Sequence, residues 1–372
     1  MPATTATKPK SDRVFLFVTL LLTIVGFFVF SSASLGLVAR EGASFATVAL
    51  KQAAVALVGI IVMIIVSNID VRKYRKSAPY IFLASLILTA LVFVPHIGFS
   101  HGGATRWLSF GPYTFQPAEF LKIAAVIYLA ALLSGYKEKV AQTWRSLIPF
   151  FLILGSSGAL MLKQPDTGTF LVIFLSLLAV YIASGARFVH ISIVFLCCIM
   201  AVAGLMYFRP YVAARFTTFI NPTSDSQGSG YQVQQALIAV GSGGVTGRGF
   251  GQSIQKFNYL PEPIGDSIFA VAAEEFGFIG TVSIILIFVF FALRGLRIAS
   301  SSKDVFGRLL AIGIVTLITT EAMINIAAII GVVPLTGIPL SFISHGGTAL
   351  MFTMVEAGMV LNISKKPVRQ KS

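Results

Sequence analysis

Four carboxylates crowd the stretch FNYLPEPIGDSIFAVAAEEFGFIG, residues 257–280: Glu262, Asp266, Glu274 and Glu275. A carboxylate can take a proton from an attacking hydroxyl, or pair with a second carboxylate to cleave a glycosidic bond. On a helix starting near Asp266, Glu274 lies eight residues on, or about 12 Å along the axis. That is too far for the roughly 5 Å pair of a retaining glycosidase. Glu275 falls nearly opposite Asp266, while Asp266, Ala270, Ala273 and Gly277 share a face of small side chains. Such a face suits close contact with a neighbouring helix, or leaves room for a substrate. Asp266 therefore works with groups from elsewhere, works alone, or only caps the helix.

Other polar residues sit in equally apolar surroundings. In GPYTFQPAEFLK, residues 111–122, Pro117 suits a first helical position, and Glu119 and Lys122 are three apart on one face, able to pair. Arg106 and Gln116 lie nearby in sequence and could line a polar cavity with them. An ionisable group inside a membrane costs about 2.5–3.5 kcal/mol, so such groups point either to neutralising pairs or to function. Asp166, in KQPDTG, stands where a negative charge complements a helix N-terminus. Glu321 and Asn325 are four apart and share a helical face, as a hydrogen-bonded structural pair would. His345 has no neighbouring His or Cys that would make a metal set. The glycine-rich GSGGVTGRGFG, residues 241–251, lacks GK[ST] and no strand precedes it. It reads as a flexible loop whose exposed amides could meet a diphosphate or a sugar.

The elements that must position these groups are membrane helices. The chain of 372 residues is 56% hydrophobic and 11% charged, with a mean hydropathy of +0.87. Its apolar runs approach the roughly 20 residues that span a bilayer. The expected fold is an all-α polytopic membrane protein with about ten spans: 14–38, 46–67, 79–95, 118–134, 147–163, 168–185, 188–207, 267–293, 308–331 and 346–362. A tail of residues 1–13 precedes the membrane domain of 14–363, a basic tail of 364–372 follows it, and a long loop, 209–265, joins spans seven and eight. Lys and Arg favour one side, including Arg72, Lys73, Lys137, Lys139, Arg294, Arg297, Lys366 and Lys371, which predicts both termini in the cytoplasm. Glu138 falls on that side too, whereas Asp225 joins the outer polar residues. The net charge of +14 then reflects topology and inner-leaflet lipid, and no basic stripe interleaved with aromatics suggests nucleic acid. The adjacent Cys197 and Cys198 read as packing residues.

Several long motifs carry a resemblance. The runs GATRWLSFGPYTFQPAEFLK, QPDTGT, GSGYQVQQALIAVGSGG, YLPEPIGDSIFAVAAEEFG and NIAAIIGVVPLTGIPLSFISHGG occur in this order between about residues 103 and 350. Together they resemble the SEDS family of bacterial cell-wall proteins, the FtsW, RodA and SpoVE type. The resemblance implies a ten-helix glycosyltransferase of the cytoplasmic membrane that polymerises lipid II on the outer face. It also implies a class B penicillin-binding protein as partner, with other division or elongation membrane proteins. The family's essential aspartate falls on Asp266, its motif glutamate on Glu262, its EE pair on Glu274 and Glu275, and its paired charges on Glu119 and Lys122. Ile264 and Gly265 stand where the family commonly has His-Thr, Glu321 where Gln is usual, Ser341 for Pro and His345 for Tyr. The fragment QSIQKFNYLPE looks more like the division branch than the elongation branch.

Glycan polymerisation needs a base near the attacking hydroxyl and positive charge near the departing diphosphate. Asp266 is the expected base. Arg106, Lys122, Arg209, Arg215, Arg248 or a divalent cation could serve the diphosphate. Gln116, Glu119, Asp166, Lys256, Glu262 and Ser344 are further candidate substrate contacts, and Glu274, Glu275, Glu321 and Asn325 candidate cavity residues. A lipid II flippase is the rival from another class, because polar groups inside spans also mark translocation paths. A structural scaffold for the division machinery is the third reading.

Overall fold

The computed structural model describes residues 11–41, 44–101, 104–111, 113–136, 144–221 and 228–365. Most of both expected tails, with Lys366 and Lys371, and Lys137, Glu138, Lys139 and Asp225 lie outside the described residues. The described helices are α1 Arg13–Glu41, α2 Phe45–Ser67, α3 Val71–Leu91, α4 Pro117–Gly135, α5 Leu147–Lys163, α6 Thr167–Ala183 and α7 Phe188–Phe208. They continue with α8 Pro210–Ile220, α9 Ser229–Ser242, α10 Ile268–Ser301, α11 Val305–Ile329 and α12 Gly347–Ser364. Every expected span has a helix, and among the described residues eight helices are long and apolar enough to cross a membrane. Of the helices at expected spans, those outside the eight are α3, which opens on Arg72, Lys73, Arg75 and Lys76, and the 17-residue α6.

The all-α class holds, with one small sheet beside the helices: β1 Gly98–His101, β2 Ala104–Phe110 and β3 Tyr113–Phe115 pair antiparallel in the order β1-β2-β3. Leu108 pairs with Gly98 on one side and Phe115 on the other, and buries its side chain. The connection 209–265 is less loop-like than its composition suggests, since it holds α8 and α9.

At the centre, α11 packs against α4, α6 and α10, and α4 buries an unbroken run from Ala124 to Ile127. By contrast, α7 buries only His190 and Val194 and stands away from the bundle. Asp12 caps α1 by accepting from Phe15 N (2.9 Å), and its carboxylate pairs with Arg294 of α10 (2.7 Å).

The helix that follows Asp266 is broken at Gly277, where φ is 62°. Breaking a membrane helix frees backbone groups that must find partners inside the protein. The glycine-rich segment supplies them: Arg248 N donates to Glu274 O and Gly249 N to Glu275 O, while Phe278 N donates to Gly244 O and Ile279 N to Val245 O. The amides at 248 and 249 are therefore spent on α10, which corrects the expectation of a flexible loop offering them to a ligand. Glu274 and Glu275 reinforce the seam. Glu274 accepts from Ser253 Oγ (2.6 Å) and from the amides of Ile254 and Gln255 (3.1 and 3.2 Å), with Arg248 alongside at 3.5 Å. Glu275 takes Lys256 Nζ at 2.7 Å and Ser32 Oγ of α1 at 2.6 Å.

Small residues are obligatory at this seam. A Cβ on Gly277 would lie 2.3 Å from Gly247 N, and one on Gly243 would lie 2.0 Å from Ala273 O. Gly277→Ala is expected to destabilise the protein by about 2–4 kcal/mol through steric conflict and a positive φ. A thermal unfolding midpoint in detergent unchanged from wild type would contradict this account of the break.

Candidate active site

Asp266 lies in the turn just outside α10, and Ser267 is the N-cap. The turn is held by its carbonyls. His345 N donates to Ile264 O (2.7 Å), Ser344 Oγ to Gly265 O (2.7 Å) and Asn325 Nδ2 to Asp266 O (2.8 Å). Asn325 Nδ2 also reaches Ile338 O at 2.8 Å, and Leu340 N donates to Ser344 Oγ at 2.8 Å. Three consecutive peptide groups are thus fastened to α11 and to the segment before α12. Glu262, with φ of 47°, closes the turn from below by accepting from Gly265 N (3.0 Å) and Ser267 N (3.3 Å) through its carbonyl.

The carboxylate of Asp266 has two unequal oxygens. Oδ1 accepts from Gln232 Nε2 of α9 at 3.1 Å, whereas Oδ2 faces Gly337. A methyl group on Gly337 would lie 3.8 Å from Oδ2 and 3.9 Å from Arg215 Nη2, so the bare glycine borders a gap between carboxylate and guanidinium. Burial pushes the Asp266 pKa up to about 6, and Glu262 adds to the rise while the Gln232 hydrogen bond opposes it. A carboxylate tuned upward in this way suits general-base work near neutral pH.

Arg215, on α8, donates to Thr336 O at 3.1 Å. Burial pulls its pKa below the ordinary arginine value, and Arg106 repels it further, against the opposing pull of Asp166 and Asp266. Arg106 arrives from β2 and donates to Gln164 O (3.3 Å) and Pro165 O, with Asp166 Oδ2 at 4.0 Å. Asp166 also caps α6 by accepting from Thr169 N at 3.1 Å. Around these charges, the buried oxygens of the Tyr211 hydroxyl, Thr336 hydroxyl and Gln164 amide have no hydrogen-bond partner among the described residues. A chamber with two guanidiniums and unsatisfied polar oxygens is suited to a hydrated anionic group.

Arg215 and Thr336 also line the end of a cavity of about 510 Å³ whose remaining wall is nearly all apolar. The wall runs between α5, α6 and α7, through Phe151, Phe170, Cys198 and Leu205. Both cysteines are free thiols there.

The candidate residues therefore divide. Asp266, Arg215, Arg106, Asp166, Glu262, Ser344 and Asn325 gather around one turn and one chamber. Lys122 is buried between Glu119 (3.0 Å) and Glu321 (2.8 Å), with Glu356 buried as well. Glu321 thus joins α11 to α4, and Asn325 bonds the Asp266 turn. That corrects the expectation of a Glu321–Asn325 pair. Gln116 is the N-cap of α4, without a side-chain capping bond. Arg248, Lys256, Glu274 and Glu275 belong to the α10 seam. Gln232, Tyr211, Thr336 and Gly337 escaped the sequence reading. Gln232 lay inside the quoted GSGYQVQQAL, but an amide carries no signal of reactivity. No group of three or more His, Cys, Asp or Glu side chains able to hold a metal forms among the described residues, so these residues do not make a cation cage by themselves.

The fold and site define a multi-pass membrane protein in which Arg215 lines the end of an apolar cavity and the Asp266 carboxylate and Arg106 stand near that guanidinium. A family model described as cell cycle protein, FtsW/RodA/SpoVE, matches residues 12–368. The chain belongs to that family. It is 36% identical to stage V sporulation protein E of Bacillus subtilis (strain 168), over 97% of this chain and 99% of that protein. It is 35% identical to a probable peptidoglycan glycosyltransferase FtsW of Geobacter sp. (strain M18), covering 95% and 97%. Among solved structures, it matches a chain of a peptidoglycan synthase complex, described as coordinating polymerization and crosslinking, at TM-score 0.81 and 25% identity, covering 96% and 99%. Thermus thermophilus rod shape determining protein RodA matches at TM-score 0.70 and 24% identity, covering 96% and 98%, which speaks to the fold.

Asn325→Leu leaves the part-buried Asp266 carbonyl and the buried Ile338 carbonyl without their shared donor. It is expected to cost about 1–3 kcal/mol per unsatisfied group. Hydrogen exchange concentrated at residues 264–268 is the readout, and a change spread evenly along the chain would refute the clamp.

Proposed function

We propose that this chain is a peptidoglycan glycosyltransferase that polymerises lipid II, with Asp266 as general base and Arg215 as the main contact of the departing diphosphate. The observation that carries the reading is the gap beside Gly337, which Asp266 Oδ2 and Arg215 Nη2 border, with Arg215 also lining the end of the apolar cavity. One oxygen can accept a proton there while a cation meets a phosphate.

In the reaction, the acceptor sugar's hydroxyl oxygen forms a bond to the donor's anomeric carbon, and the bond from that carbon to the diphosphate oxygen breaks. The hydroxyl proton passes to Asp266 Oδ2, and the diphosphate leaves as an anion with its prenyl tail. Arg215 opposes the charge that develops on the leaving group, with Arg106 next to it. Tyr211 and Thr336 offer hydroxyls to the same anion. The apolar cavity lies where a prenyl tail would follow its diphosphate. Lipid transport is the weaker reading, because the charges further along α4 and α11 close on one another, Lys122 with Glu119 and Glu321, and leave no open polar path there.

The chain crosses the membrane ten times in this reading, with both termini in the cytoplasm and the site on the outer face. The product strand then requires a crosslinking enzyme beside it, which a class B penicillin-binding protein would supply. Other division or elongation membrane proteins complete the assembly.

The test is polymerisation of lipid II by the purified protein with its transpeptidase partner. Asp266→Asn should make no polymer, and equal polymer from mutant and wild type would sink the assignment. The base must be unprotonated to act, so the wild-type rate should rise as pH increases through about 6 and then level. A rate that falls across that interval would contradict it. Arg215→Leu should lower kcat/KM by about 100-fold, and lipid II crossing liposomes without polymer would instead favour transport.

A further inference from the structure

Asp266 lacks the His-Thr that commonly precedes the family's aspartate, and the carbonyl clamp fixes its backbone without fixing its side chain. The side chain is fixed from another helix. Gln232 Nε2 lies 3.1 Å from Asp266 Oδ1 and 2.9 Å from Ser267 Oγ, so its two N–H hydrogens serve neighbouring acceptors. Ser267 Oγ is itself 3.5 Å from Oδ1. Both contacts fall on Oδ1.

We propose that Gln232 is the positioning residue of the base: it immobilises Oδ1 and so commits Oδ2, at the Gly337 gap, to accept the acceptor hydroxyl's proton. The inference rests on the reading of Asp266 as base. It adds a residue that never touches the substrate and assigns different roles to the two oxygens of one carboxylate.

The helix that carries Gln232 is firmly seated. Ala236 and Ala239 of α9 are fully buried, and Gly243 just beyond its end approaches Ala273 O so closely that no side chain fits. An amide presented from such a helix loses little freedom on forming its bonds. The chemistry of the pair also sets a direction. Donors favour the charged carboxylate, so Gln232 resists the burial that drives Asp266 toward its protonated form. Removing the amide donor should release the orientation of Oδ2 and enlarge the protonated fraction together.

The charged groups facing Asp266 are Glu262 from its own turn and Arg215 from α8, with Arg106 of β2 and Asp166 at the start of α6 beyond Arg215. His345, which precedes α12, faces Glu262 and Lys51, and burial holds its pKa below the ordinary histidine value. It is a second titratable side chain beside the turn, and the experiment removes it.

The test measures lipid II polymerisation against pH for the chain with its transpeptidase partner, in a His345→Gln background. Gln232→Leu should lower kcat by about 10- to 100-fold with KM little changed, and move the acid limb upward by about one pH unit. Gln232→Glu keeps the reach, replaces the donor by a second carboxylate, and should move the limb further in the same direction. An acid limb that stays put in both variants, with Asp266→Asn inactive, would overturn the role of Gln232 and leave the base standing. Polymer from Asp266→Asn would overturn the base itself. If Gln232→Leu does not fold, the acid limb of Gln232→Glu decides the matter alone.

Discussion

Inside a membrane, a backbone N–H or C=O that leaves the helical ladder must be satisfied by the protein itself. Two adjacent irregularities meet that demand here, and the site depends on both. The break at Gly277 releases carbonyls and amides that the 244–249 segment takes up. The turn at 264–266 releases three carbonyls that His345, Ser344 and Asn325 take up. Between them lies a short helical piece, residues 268–276, whose start places Asp266 and whose end is pinned by the Glu274 and Glu275 seam. The backbone of Asp266 is held in place because the chain on both sides of it has nowhere else to go, and Gln232 holds the side chain.

The two acidic networks have different duties. Glu275, Lys256 and Ser32 tie α1 to the segment that braces α10, with the Lys256 side chain fully buried. Glu119, Lys122 and Glu321 tie α4 to α11, the helix that also carries Asn325. Removing one partner from either group would strand a buried charge, an outcome that is strongly destabilising. Neither network reaches the gap beside Gly337. Charge in these two networks is spent on holding helices together, whereas Arg215 keeps its charge at the edge of a cavity.

The helices were legible in the sequence because apolar length is a local property: Pro117 opens α4, Asp166 caps α6, and Glu119 pairs with Lys122 as their spacing suggests. Asp266 was singled out as the proposed base through motif resemblance. Its surroundings were not. Gln232 is 34 residues from Asp266, and Asn325 is 59 from it, and no periodicity links positions so far apart. The sheet was missed because its strands are short and interrupted by turns. The glycine-rich run misled for a physical reason: glycine signals close approach as readily as freedom, and here Gly243 and Gly247 are close to α10.

Every residue type offers the same carbonyl, so the clamp is indifferent to the side chains it holds at 264 and 265. The three hydrogen bonds that grip the turn form with Ile264 and Gly265 where the resemblance leads one to expect histidine and threonine, while the Ile264 side chain packs against the core and a Cβ at 265 would press on Glu262. A search pattern that requires the His-Thr pair would therefore discard this chain, whereas one written on the aspartate, the amide 34 positions upstream and the asparagine 59 positions downstream would keep it.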